Sequence, residues 1–96
     1  MTKLVYGRKG QVEFLNEEEK RAAFDYLINS RDIKLQDEQN QEQGAWGPEK
    51  RIYFYSENGV PEALKRNWTS GKGGNVLGRI NCAELYDEVY TLRKRR

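Results

Sequence analysis

The sequence predicts a small α+β domain, a mostly antiparallel or mixed sheet of three to five strands with two longer helices and one short helix packed on it. Three observations point there. A chain of 96 residues fits one hydrophobic core and leaves no room for two. Arg51-Ile52-Tyr53-Phe54-Tyr55-Ser56 is aromatic and β-branched and apolar on both faces, as a central strand covered on at least one side would be. Asn16-Glu17-Glu18-Glu19 supplies a helix cap with a glutamate three residues on, the spacing of a capping box.

Taken in order, Leu4-Val5-Tyr6 and Gln11-Val12-Glu13-Phe14-Leu15 read as two short strands. Gly7-Arg8-Lys9-Gly10 between them reads as a tight hairpin with a basic tip. Strand alternation puts Val12 and Phe14 on one face and Glu13 on the other. A helix follows from Glu17 to about Asn29. Its first-turn glutamates suit the positive helix end, and Ala23, Phe24, Tyr26, Leu27 and Ile28 form its apolar stripe.

Asp32-Ile33-Lys34-Leu35-Gln36 alternates polar and apolar residues, as a short strand does. Residues 36–44 hold no hydrophobic side chain and are expected to be a flexible polar loop or an exposed strand end. Ala45-Trp46-Gly47-Pro48 looks like a turn, with Trp46 folding back on the core. Glu57-Asn58-Gly59 closes the central strand, and Pro61 opens a short helix to about Trp68.

Residues 69–75, Thr69-Ser70-Gly71-Lys72-Gly73-Gly74-Asn75, read as a flexible glycine-rich loop. Val76 to Ile80 reads as a last strand, weakened by Gly78. Asn81 resembles a second cap with Glu84 in the boxed position, ahead of a helix carrying Leu85, Val89 and Leu92. Arg93 to Arg96 is a basic tail. The expected order is β-β-α-β-β-α-β-α, within one domain over residues 1–96.

Composition excludes several functions. Without histidine there are no histidine-based zinc fingers, HExxH sites or histidine-dependent triads. Cys82 stands alone, so no disulfide forms within the chain. Ahead of a helix its thiol can have a lowered pKa, although a small buried thiol is the simpler reading. Lys72 is followed by glycine, so the loop fails the Walker pattern, and it fails the dinucleotide pattern as well. No metal or cofactor is expected. No apolar run approaches the roughly 20 residues of a membrane span, and Met1 to Gly7 lacks a hydrophobic signal core, so the expected location is the cytoplasm.

Charge gives the functional lead. Residues 1–50 carry eight basic and ten acidic side chains, whereas residues 51–96 carry nine basic and five acidic. The second half combines Lys65, Arg66, Lys72, Arg79, Arg93 and Arg95 with Trp68, and the hairpin tip adds Arg8 and Lys9. Such a set suits nucleic acid, because backbone phosphates need neutralising and unpaired bases reward stacking on Trp68 or on an outward Tyr53 or Tyr55.

The first-ranked function is therefore a small non-enzymatic module that binds DNA or RNA in an accessory or regulatory role. The second is a protein-interaction domain (an inhibitor, adaptor or homodimer subunit), supported by the surplus of Tyr53, Tyr55, Tyr86 and Tyr90. The third is a metal-independent, ribonuclease-like enzyme drawing on residues such as Arg79, Tyr86 and Glu88. No membrane partner is expected.

Overall fold

The computed structural model describes residues 3–38, 49–71 and 74–95. Among these residues it is an α+β domain with two antiparallel sheets, one of two strands and one of four, and three helices. Trp46 and Lys72 lie outside the described residues, as do residues 39–44 of the polar segment.

The two-stranded sheet is the expected hairpin. β1 (Leu4–Tyr6) pairs with β2 (Val12–Phe14), placing Leu4 opposite Phe14 and Tyr6 opposite Val12. Gly7, Lys9 and Gly10 all take positive φ to make the turn, a conformation that glycine adopts at little cost and lysine seldom does.

Helix α1 (Glu17–Asn29) starts as its sequence dictates. The Glu19 amide donates to Asn16 Oδ1 at 2.9 Å, and the Leu15 amide donates to Glu19 Oε1 at 2.8 Å. Two amides with no helical partner are thereby satisfied at once. The helix buries Ala23, Phe24 and Leu27, and Phe24 meets Phe14 at 6.4 Å between ring centres.

The larger sheet has the order β3-β4-β6-β5, with β3 (Ile33–Glu38), β4 (Glu49–Phe54), β5 (Thr69–Ser70) and β6 (Gly78–Ile80), and every pair is antiparallel. β4 is an inner strand, and its Ile52 and Phe54 are fully buried. Several boundaries differ from expectation. β3 runs past Gln36 to Glu38, the strand-end alternative for this stretch, because Asp37 and Glu38 pair with Lys50 and Glu49, which start β4 two residues early. Thr69 and Ser70 form a short edge strand instead of loop, held against Arg79 and Gly78.

Helix α2 (Glu62–Asn67) has Pro61 at its cap position and Trp68 at its end. It packs on α1 and β2, where Asn67 takes the Glu13 amide at 3.0 Å and returns a bond to the Glu13 carbonyl at 2.9 Å. Helix α3 (Ala83–Lys94) is capped at Cys82, one residue later than the sequence suggested, with no side-chain cap. The expected Asn81 box is not formed. Glu84 instead accepts the Gly7 amide at 3.0 Å, tying the hairpin turn to the start of α3.

Phe54 is the meeting point of the core. Tyr26 of α1 stacks on it at 6.5 Å, and Trp68 tilts against it at 5.0 Å. Gly78 makes room for that indole, since a Cβ there would lie under 3.0 Å from three of its ring atoms. In an ordinary strand interior, replacing glycine with alanine gains roughly 0.5–1 kcal/mol. Here the collision reverses the sign. Gly78→Ala is expected to lower stability by about 1–3 kcal/mol, seen as a lower urea midpoint with an unchanged slope; a raised midpoint would contradict this packing.

Candidate nucleic-acid interface

The three helices meet the four-stranded sheet through one face. Tyr26 of α1 and Trp68 at the end of α2 contact Phe54, while Asp87 of α3 pairs with Lys50 Nζ at 2.6 Å. Lys50, Ile52 and Phe54 are two residues apart on β4 and so share that face. Arg51 and Tyr53 therefore point the other way, and both are half-buried.

Strand register then assembles a row across this second face. Tyr53 lies opposite Lys34 on β3 and opposite Arg79 on β6, and Arg79 lies opposite Thr69 on β5. Direct cross-strand neighbours of this kind have Cβ atoms ~5 Å apart. Beside the row, Arg51 pairs with Gln36, and its Nη1 donates to the Tyr53 hydroxyl at 3.2 Å. On the other side Tyr55, 39% exposed, keeps the alternation, with its amide donating to the Asp32 carbonyl at 2.9 Å. Leu77, 47% exposed, continues the β6 side. Arg79 Nε is buried without a hydrogen-bond partner among the described residues. An orphaned donor of this kind costs about 1–3 kcal/mol until something accepts from it.

The cations singled out from the sequence do not gather in one place. Arg79 lies on the row. Trp68 does not, because its half-buried ring is packed between Phe54 and the Gly78 backbone. Arg66 is held by Glu19 at 2.6 Å, on the helical side, and Lys65 is half-buried on the same short helix. Arg93 Nη1 donates to the carbonyls of Leu27 and Ser30 at 2.8 and 3.2 Å, closing the C-terminal end of α1. Arg95 is exposed at the end of α3. Arg8 and Lys9 are exposed at the hairpin tip, beside the start of α3.

Sequence reasoning missed Lys34 and Arg51 as site residues. Their signal was there. Each sits one residue from a buried Ile33 or Ile52, and strand alternation alone sends it to the opposite face.

No family model, curated protein or solved structure matches the chain significantly. The face has to be judged on its own chemistry.

Arg79, Tyr86 and Glu88 do not form a catalytic group. Tyr86 is buried on the helical side beneath Lys50, Arg79 faces away from it, and Glu88 is exposed on α3. Cys82 is a core residue at 1% exposure, and burial raises its thiol pKa, opposite to what a reactive thiolate needs. A shallow cleft of about 190 Å³ is lined by Glu17, Lys20, Arg21 and Phe24. It falls below the roughly 300–1,000 Å³ of small-molecule sites.

Glu19 joins the helix cap to the charge pattern. Its carboxyl is held below the ordinary 4.5, chiefly by the Arg66 guanidinium and then by the Leu15 amide. A carboxyl lowered by folding stabilises the fold above its unfolded pKa and loses that contribution as pH falls through the folded value. The stability gap between the parent and Glu19→Gln is therefore expected to be full above pH 4.5 and to close in more acidic buffer. Urea midpoints measured across that range check this, and a gap that widens with acid would refute it.

Proposed function

We propose that this chain is a nucleic-acid-binding accessory module that works through the face of its four-stranded sheet opposite the three described helices. The observation that carries the reading is the row Lys34–Tyr53–Arg79–Thr69, set by strand register and flanked by Arg51 and Tyr55. It combines three cations with two phenol rings, the pairing that a polyanion with aromatic bases rewards.

The same charges argue against the simpler occupants. An apolar helix would bury charged groups and gain nothing from them. A second copy docked face to face would set those cations against their own images. Among the described residues this face is built from strands alone, so it offers a surface more than a cleft, in keeping with a binding module.

Salt dependence tests the proposal. Each phosphate neutralised contributes roughly 0.7–0.9 to the slope of log K against log salt. Replacing Lys34, Arg51 and Arg79 together with alanine is expected to weaken DNA or RNA binding and to reduce that slope by about 2. Arg66→Ala, which removes a cation already committed to Glu19, is expected to leave it unchanged. Equal slopes for the triple variant and the parent would remove this face from consideration.

A second reading, a protein-interaction domain, is favoured by one observation. Among the described residues β3 is a six-residue strand at the sheet margin, the kind of edge on which another chain adds a strand. The Asp32–Tyr55 pair is hydrogen-bonded, so by alternation Leu35 turns its amide to the open edge, and Leu35→Pro would interrupt such pairing. If the parent shows a concentration-dependent mass in sedimentation, this variant is expected to abolish it; a parent that stays monomeric at all concentrations would weigh against self-association.

A further inference from the structure

We infer that the face takes a single, unstacked nucleic-acid strand, with two successive bases lying on Tyr53 and Tyr55 and the phosphates running on the Arg79 side. This rests on the nucleic-acid reading above and goes further by naming the ligand form and its path.

Spacing is the first argument. Tyr53 and Tyr55 are two residues apart on β4, which at strand rise puts them about 6.8 Å apart. Stacked bases in one strand of a duplex rise ~3.4 Å each. Two neighbouring bases can meet both rings only if they are pulled out of that stack. Single strands permit this, whereas a duplex does so only by melting.

Shape is the second. Full sequence readout of a duplex needs an element that enters its major groove, most often a helix or a two-stranded ribbon. All three helices lie on the opposite side of the sheet, and the surface around Tyr53 consists of in-register strands. A duplex laid on such a surface would meet it through phosphates alone and would leave both rings without a base.

Charge chooses the path. On the β3 side of Tyr55 the paired residue is Asp32, exposed and acidic. On the β6 side lie Leu77 and Arg79. A phosphate chain beside Asp32 would be repelled, while one on the β6 side lies near the positive charge of half-buried Arg79. Lys34, across Tyr53 from Arg79, is then placed for a phosphate at one end of the bound segment.

The test uses the whole chain with fluorescent oligo(dT), oligo(U) and a blunt DNA duplex of equal length, all at one salt concentration. Both single strands are expected to bind at least about tenfold tighter than the duplex, since only they can use the rings. Tyr55→Leu is expected to weaken single-strand binding roughly 5- to 100-fold with an unchanged salt slope, and Tyr55→Phe to keep it. Tyr55 is on the surface, so these variants leave the core intact even if changes at half-buried Tyr53 disturb folding. Asp32→Asn is expected to change affinity little, and Arg79→Ala to lower the slope by about 1.

Duplex bound as tightly as single strand, or an unchanged affinity in Tyr55→Leu, would overturn the inference. So would a large gain in Asp32→Asn with no effect of Arg79→Ala, which would put the phosphates on the β3 side. If in these cases the triple cation variant still flattens the salt dependence, the broader reading stands. If none of the three probes binds, both fall. A preference for oligo(U) over oligo(dT) would point to contact with the 2′-hydroxyl, and the reverse to DNA.

Discussion

Three helices suffice to cover one face of a four-stranded sheet, and the two-residue period of β4 decides what that face hides. Ile52 and Phe54 go under the helices, and Arg51 and Tyr53 come out on the other side. Phe54 fixes the arrangement, because rings from two different helical segments converge on it. Emptying a buried phenylalanine site typically costs about 3–5 kcal/mol, against about 0–1 kcal/mol for an exposed ion pair. The hydrophobic face therefore sets the register, and the charged face follows from it. No polar contact on the outer side is strong enough to turn β4 over.

Much of the fold was legible because local signals agreed with the final packing. Asn16 and Glu19 form the reciprocal cap that their spacing implied, and α1 runs from Glu17 to Asn29 as read. The Val12/Phe14 alternation and the inner position of β4 were equally clear. The failures share a cause, which is that the deciding partner is distant in sequence. Thr69 and Ser70 look like loop until β6 is there to pair with them. Asp37 and Glu38 read as either loop or strand end, and only the backbone of β4 decides for the strand. Glu84 looked like a box residue, but the Gly7 amide, 77 residues away, claims it.

The candidate site was harder to see because a count of charge along the chain is a poor guide to charge in space. The basic second half suggested one positive surface, but folding assigns several of its cations to internal work. Arg66 is taken by Glu19 and Arg93 by the last carbonyls of α1. Trp68, the obvious ring, is needed by the core. What gathers instead is a set drawn from three strands, Lys34, Arg51 and Arg79 around Tyr53, of which only Arg79 and Tyr53 had drawn attention in the sequence. Register between strands, not proximity along the chain, brings them together.

The tether between the Gly7 amide and Glu84 also bears on how the chain acquires its shape. It joins positions 77 residues apart, and the bonds from Asn67 to Glu13 and from Arg93 to Leu27 span 54 and 66. Nearly every early segment thus finds its partners late. On a ribosome the hairpin and α1 emerge long before α3 can reach them, so they must wait, partly exposed, until synthesis has passed Arg93. Non-local closure of this kind is entropically slow. A nascent chain stalled before α3 would leave α1 and β4 short of the helix that packs on both, a natural point for chaperone engagement or for degradation.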